Sequence, residues 1–298
     1  MASTTSRHQV QDAQKLYDDR AAHYDDSWHP LFAHHMVQLA DLKPGDHVLD
    51  LASGTGLVTF AASMAVGQTG SVTGVDISSG MLQQARSRLE NHDLENVEFH
   101  QHSITDLDTL SVLRGKEFDA IMCASVLVLL QNPGQAIKAW AVYLKAGGKF
   151  ITDVTHPASQ ISLITFERVG RGLNRPLPFY RVPFQKPEDL QLLMEQAGLR
   201  DNHIVSLSQL EAANAGEGIM AYMTDPAHPR LDKLYTIEDA DDVFDKHIDH
   251  WAAELLSRPE IKNEARKIFK EEWARLANEE GKIEEMDCVF VGIGTKVG

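Results

Sequence analysis

Cysteine is scarce in this chain: 298 residues hold two, Cys123 and Cys288, each inside an apolar run. Two thiols so far apart build no disulfide framework, and they read as buried and reduced, in a reducing cytoplasmic compartment. Long hydrophobic runs are also missing. The longest, Ala120 to Leu130, is too short to cross a bilayer as a helix. The opening residues Met1 to His8 contain no apolar signal-peptide core. Positive charge is in deficit, with 28 Lys and Arg against 43 Asp and Glu and a net charge of −15. Duplex nucleic acid and anionic membranes both need basic patches, so a small-molecule ligand fits better. Oligomeric state is left open.

Several catalytic motifs are absent too. No Ser-His-Asp elbow, phosphate-binding P-loop or paired-cysteine redox motif occurs in the sequence. Of the 14 histidines, the pairs His34/His35 and His247/His250 have no third or fourth ligand at a sensible spacing, so no metal site is expected.

What is present is a globular pattern. Hydrophobic residues make up 43% of the chain, enough for a sizeable core in one large α/β domain with insertions or two small ones. Helices are expected over 11–27 and 30–41, the second stopped by Lys43-Pro44-Gly45. A regular alternation follows. Strands are expected at 47–51, 71–76, 97–100, 118–123 and 149–154. Helices are expected at 58–65, 80–91 and 134–144. That rhythm means a parallel sheet covered on both faces.

After residue 155 the rhythm breaks. Residues 156–186 combine prolines with Phe166, Phe179, Tyr180 and Phe184, and read as a lid over a site. A helix over 187–197, capped by Gly198, and a short strand at 205–207 continue the core. Residues 211–283 read as a mostly helical insertion. It has apolar faces at Ala240, Val243, Phe244, Ile248 and Trp251, and again at Ile261, Ala265, Phe269 and Trp273. The chain then returns as a last strand at 287–294. This gives six segments: N-terminal helices 1–45, core 46–155, lid 156–186, core continuation 187–210, insertion 211–283 and last strand 284–298.

Val48-Leu49-Asp50-Leu51-Ala52-Ser53-Gly54-Thr55-Gly56 is the most informative stretch. An apolar strand ends in an acid and turns through two glycines into a helix, and glycine lets a ligand approach the backbone closely. A nicotinamide-type GxGxxG turn would want a third glycine at position 59, which is Thr59, and does not ask for an acid at Asp50. Asp76 ends the second strand 20 residues beyond Gly56, where an acid can hydrogen-bond both ribose hydroxyls of a nucleoside.

With these residues the chain resembles the class I S-adenosylmethionine-dependent methyltransferases of the small-molecule, ubiquinone/menaquinone-biosynthesis type. Further matching segments are Gly74-Val75-Asp76-Ile77-Ser78 with Met81-Leu82, Phe118-Asp119-Ala120-Ile121-Met122-Cys123, and Leu144-Lys145-Ala146-Gly147-Gly148. The resemblance implies a Rossmann-like parallel sheet with an antiparallel last strand, helices on both faces and a helical cap. It implies S-adenosylmethionine as cofactor and S-adenosylhomocysteine as product.

It also implies roles. The backbone at Ala52, Ser53, Gly54 and Gly56 would approach the methionine part, and Asp50 would sit near its ammonium. Asp76 would bind the ribose, with Ile77 and Met81 flanking adenine. Ser103 and Ile104 stand in a segment where relatives often carry Gly-Asp-Ala, so a hydroxyl replaces the acid. The backbone at Cys123, Ala124 and Ser125 would face the methionine end. The N-terminal helix brings Tyr17, Arg20, Tyr24 and Trp28. Aromatic faces suit a sulfonium, and Arg20 could meet the cofactor carboxylate. Tyr24 and Trp28 are thereby catalytic candidates, beside His156, a possible base following the fifth strand.

The segment Tyr17-Asp18-Asp19-Arg20-Ala21-Ala22-His23-Tyr24-Asp25-Asp26-Ser27-Trp28-His29 is similar to fungal secondary-metabolism enzymes that S-methylate dithiols. That similarity implies a thiol acceptor. O- or N-methylation of a small metabolite, or a cofactor-binding protein that does not methylate, stays open.

Overall fold

The runs of branched residues that end at Leu51, Asp76, Cys123 and Thr155 lie side by side. The computed structural model describes residues 4–92, 94–177, 179, 184, 186–208, 219–249 and 253–298, without the side chains of 4–9 and 254. Along the chain come α1 (Thr4–Arg20), α2 (His29–Ala40), β1 (His47–Leu51), α3 (Leu57–Val66), β2 (Ser71–Asp76), α4 (Ser79–Glu90) and β3 (Val97–Gln101). Then follow β4 (Phe118–Cys123), α5 (Pro133–Trp140), β5 (Leu144–Thr155), α6 (Ile161–Gly172), α7 (Pro187–Gln196), β6 (Leu199–Leu207) and β7 (Met223–Thr224). The last elements are β8 (Arg230–Thr236), α8 (Ala240–His247), α9 (Pro259–Ala274), β9 (Lys282–Asp287) and β10 (Val289–Lys296).

The main sheet has the order β3-β2-β1-β4-β5-β10-β6-β7. β1 to β5 run parallel, and β10 inserts antiparallel between β5 and β6. The expected Rossmann-like sheet with its antiparallel last strand is therefore present. The pleat sends alternate side chains to opposite faces. Leu49, Leu51, Ile121, Phe150 and Phe290 join Trp140 of α5 and Leu190 of α7 in one buried cluster. Val48, Val72, Met122 and Val291 join Phe32 and Met36 of α2 and Val58 of α3 in the other. The strand order reverses between β1 and β4, and their carboxyl ends open a crevice there, the usual ligand position in such sheets.

Three expectations need correction. First, the segment 156–186 is not a bare cover, because it contains α6. Phe166 and Phe179 pack in a third buried cluster with Phe244, Phe269 and Trp273, and Phe184 enters the core beneath the sheet. Burial against α8 and α9 removes these rings from water more completely than a cavity wall would. Tyr180 and Trp251 lie outside the described residues. Second, the insertion is not only helical. β8 and β9 pair antiparallel and bracket α8 and α9, and β9 runs into β10 with Cys288 alone between them. Third, the opening helix starts at Thr4 rather than near residue 11.

The cap so formed meets the rest of the molecule partly through Leu16 of α1 and Leu129 after β4, both packed on its cluster. Among the described residues, no helix is long and apolar enough to cross a membrane.

Candidate active site

The turn after β1 is held in left-handed backbone at Ala52 (φ 56°), Gly54 (φ 56°) and Gly56 (φ 85°). Gly56 has no alternative. A Cβ there would stand 2.7 Å from the Phe60 ring, in a conformation that already disfavours side chains. Gly56→Ala is expected to cost about 2 kcal/mol of stability, read as a shift in denaturant midpoint. Ala52 carries a side chain in the same unfavourable region, and non-glycine residues held this way collect at functional sites.

Asp76 fixes the turn from the next strand. Its Oδ2 accepts the Gly54 amide at 2.8 Å and its Oδ1 the Ser78 amide at 2.7 Å. Burial pushes its carboxyl up, and these backbone donors pull it back. Ser78 caps α4 by accepting from the Met81 amide at 3.0 Å. Asp18 of α1 then accepts from the Ser78 hydroxyl at 2.6 Å and the Gly80 amide at 2.8 Å. Asp25 accepts from the Thr55 hydroxyl at 2.6 Å and pairs with Arg88. Two acids of the N-terminal segment thus tie α1 over the sheet's carboxyl edge.

Asp50 is 1% exposed. The Thr59 hydroxyl donates to its Oδ2 at 2.5 Å, so the residue standing in for a third glycine serves the acid at position 50. Burial pushes the Asp50 carboxyl up to about 7, against the pull of Thr59.

Two cavities open here. The larger, about 790 Å³, runs between α1, the ends of β1 and β2, the start of α4 and the turn after β4. Tyr17, Tyr24, Ala52, Gly54, Asp76, Ile77, Met81, Ser103, Ile104 and Ala124 line it, together with Val10, Ala13, Val126, Leu129 and Leu130. The smaller, about 380 Å³, is lined by Asp50, Ser53, His29 and Phe32 among others. Tyr24, Ala52, Gly54, Ala124 and Ser125 wall both cavities.

Thirteen of the eighteen residues singled out from sequence therefore converge on one crevice. Five do not line it. His156 is bound elsewhere, its Nδ1 accepting from the Ala158 amide at 3.0 Å and its ring packed edge-on to Phe290. Burial holds its pKa below the usual histidine value. Trp28 stacks on His29 at 4.3 Å and packs on Phe32. Cys123 is fully buried, which pushes its thiol well above the usual range. Gly56 shapes the turn from behind. Arg20 lies over the Tyr17 and Tyr24 rings at 5.5 and 5.3 Å, so a protein cation already stacks on them.

Four residues escaped the sequence reading as side chains of the site. Asp153 of β5, 4% exposed, accepts the Ser125 amide on Oδ1 at 2.6 Å. Its signal is an acid inside the apolar run Phe150 to Val154. Ser125 itself was expected only through its backbone. His29 sits between the rings of Tyr24 and Trp28, both at 4.3 Å, with burial holding its pKa down at about 4. Asp18 was named only within the segment 17–29, with no role of its own.

The crevice suits a nucleoside joined to an amino acid. Asp76 and the left-handed turn at Ala52 and Gly54 face the larger cavity, and Asp50 the smaller. In the smaller one the Ser53 hydroxyl is buried without a hydrogen-bond partner among the described residues. No group of three or more His, Cys, Asp and Glu is placed to hold a metal, again among the described residues.

Residues 42–169 match a family model described as a methyltransferase domain. The chain is 35% identical over 209 residues to the ubiquinone/menaquinone biosynthesis C-methyltransferase UbiE of Shewanella pealeana, covering 65% of this chain and 78% of that protein. It is 31% identical over 160 residues to the enzyme of the same name from Hydrogenovibrio crunogenus, covering 50% of this chain and spanning 61% of that enzyme's length. Among solved structures, a cyclopropane-fatty-acyl-phospholipid synthase-like protein from Lactobacillus casei superposes with a TM-score of 0.54 at 17% identity, over 88% of this chain and 90% of that one. At that identity the likeness concerns the fold alone.

Proposed function

Because this chain belongs to the class I S-adenosylmethionine-dependent methyltransferases, we propose that it moves a methyl group onto a small acceptor with an apolar body, seated between α1 and the turn after β4. The observation that carries the reading is the double role of the crevice. One wall is the Asp50, Gly54 and Asp76 cradle, while Val10, Ala13, Leu129 and Leu130 add an apolar wall, with Leu129 also packed on the cap cluster.

S-adenosylmethionine supplies, when bound, a methyl on a sulfonium whose leaving group is a neutral thioether. The protein's work is then alignment and exclusion of water. Each Asp76 oxygen accepts one backbone amide and keeps capacity for a ribose hydroxyl. Ile77 and Met81 would flank the adenine, with Ser103 and Ile104 at its edge, and Asp50 and the Ser53 hydroxyl would meet the amino-acid end. Tyr17 and Tyr24 close the crevice from the N-terminal segment.

His156 is outside this arrangement. His156→Ala is expected to leave turnover within about twofold and to lower stability by about 1 kcal/mol, from the lost Ala158 bond. A large fall in kcat with unchanged stability would return it to the chemistry.

A labelled-methyl screen over thiols, phenols, carboxylates and amines tests the reading. Transfer to one class, with S-adenosylhomocysteine released, is the expected result. Binding of the cofactor without transfer to any class would make this a non-methylating or regulatory member. Affinity for NAD with none for S-adenosylhomocysteine would sink the cofactor assignment. The thiol class is the finer proposal, supported by the similarity of residues 17–29 to dithiol S-methylating enzymes.

A further inference from the structure

Five residues wall both cavities, and of these only Tyr24 and Ser125 carry polar side chains. On the reading above, the nucleoside end lies in one cavity and the amino-acid end in the other. The five shared residues therefore surround the place where the two ends meet, which is where the methyl is transferred.

Ser125 is unusual at this place. It follows β4 by two residues and holds φ at 59°, a region that disfavours any residue with a side chain. Something must hold it there, and Asp153 does. The parallel register pairs Cys123 with Thr152, which sets Asp153 beside the end of β4, and its Oδ1 takes the Ser125 amide at 2.6 Å. The Ser125 hydroxyl is left buried, with no hydrogen-bond partner among the described residues. A buried, unsatisfied hydroxyl is costly, so one held in strained backbone at a cavity junction points to a ligand atom.

We propose that the Ser125 hydroxyl donates a hydrogen bond to the nucleophilic atom of the acceptor, that Asp153 is its positioning residue, and that the acceptor arrives as an anion. The inference rests on the methyl-transfer reading and narrows its substrate class to thiols and acidic phenols, whose thiolate and phenolate share this chemistry.

The titratable groups around the junction agree with an acceptor that ionises into solvent rather than onto the protein. Asp76 is engaged with two backbone amides and Asp50 with Thr59. Burial holds Tyr24 well above the usual phenol range, and His29, held down at about 4, is a weak base. Tyr17 lies under Arg20. Asp153, its carboxyl pushed up to about 7 by burial, is engaged with the Ser125 amide and absent from the described walls of both cavities, so it has no direct path to the acceptor's proton. In the step itself the anion's electron pair forms the new bond to the methyl carbon. The carbon–sulfonium bond breaks with its pair left on sulfur, and no proton moves.

The test uses the full chain saturated with S-adenosylhomocysteine and two chromophoric probes, 4-nitrothiophenol and 4-nitrophenol, titrated by absorbance. The bound probe is expected to ionise about tenfold more readily than the free one, since a donor to an anion favours the charged form. Ser125→Ala removes that shift. Ser125→Gly, which takes positive φ without strain, removes it equally and covers a misfolded alanine variant. Asp153→Asn, still able to accept the Ser125 amide, keeps the shift, whereas Asp153→Ala abolishes it. The probe with the larger shift identifies sulfur or oxygen as the preferred atom. An unshifted pKa, a shift that survives loss of the hydroxyl, or binding of neither probe overturns the proposal. Calorimetry separates the two failures. Absent S-adenosylhomocysteine binding defeats the methyltransferase reading, and intact binding with an unresponsive probe defeats this inference alone.

Discussion

Replacing Asp76 by alanine is expected to weaken S-adenosylhomocysteine binding about 100-fold, roughly 3 kcal/mol, measured by titration calorimetry. Two losses combine in that figure. The ribose loses a charged acceptor, and the Gly54 and Ser78 amides lose the carboxylate that holds the turn and the start of α4 in register. Asparagine is not expected to rescue. Both carboxylate oxygens accept backbone N–H groups, so an amide would point its own N–H₂ at one of them. Glutamate misplaces the same oxygens by a methylene. Unchanged affinity in Asp76→Ala would remove the acid from the site.

Asp50→Asn is expected to trade affinity for stability. The native fold holds Asp50 at about 7, against 3.8 for an ordinary aspartate, so the folded chain binds a proton there that the unfolded chain has released. A carboxyl whose folded pKa is raised makes the fold less stable as pH climbs from about 4 to about 7, with no further change above. The full span is roughly 4 kcal/mol. Asparagine carries no such charge and can still accept from Thr59. The cofactor-free variant should match the native chain near pH 3.5 and exceed its stability by roughly 2–4 kcal/mol at pH 8.

Comparing variant with native at each pH cancels the opposite trend from His29, whose lowered pKa favours the fold as pH rises from about 4 to 6.5. Meanwhile the variant should bind S-adenosylhomocysteine at least tenfold more weakly, because an ammonium beside Asp50 draws on its charge. In the native chain that same ammonium pulls the Asp50 pKa down, so binding near pH 7 releases protons. Calorimetry in buffers of different ionisation enthalpy reads the release. Equal pH profiles for the two proteins would contradict the buried-acid assignment.

The parallel sheet was legible because short apolar strands alternate with helical segments, and Gly45, Gly70 and Gly148 mark entries into β1, β2 and the apolar half of β5. The acids at positions 50 and 76 were legible because they end such runs. What escaped depends on register. Asp153 becomes part of the site only because β5 pairs with β4 so that Thr152 meets Cys123. Asp18 matters only once α1 lies on the start of α4. β8 and β9 hid behind charge: nearly every β8 residue is exposed, so no buried face imposed a clean alternation. α6 hid between Pro157 and Pro176, whose prolines suggested irregular chain. His156 shows the converse case. Its place after the fifth strand was right for chemistry, but its ring turns to Phe290 and its imidazole to the local backbone.

The third buried cluster packs separately from the two that flank the main sheet. Phe166, Phe244, Phe269 and Trp273 lie outside both clusters that flank the main sheet, and Leu129 touches the cap cluster while lining the larger cavity. A repacked cap can therefore move one wall of the acceptor space and leave the Asp50–Asp76 cradle untouched. The packing of the cap and the shape of the cradle can thus be altered independently, the first through a few rings remote from the sheet.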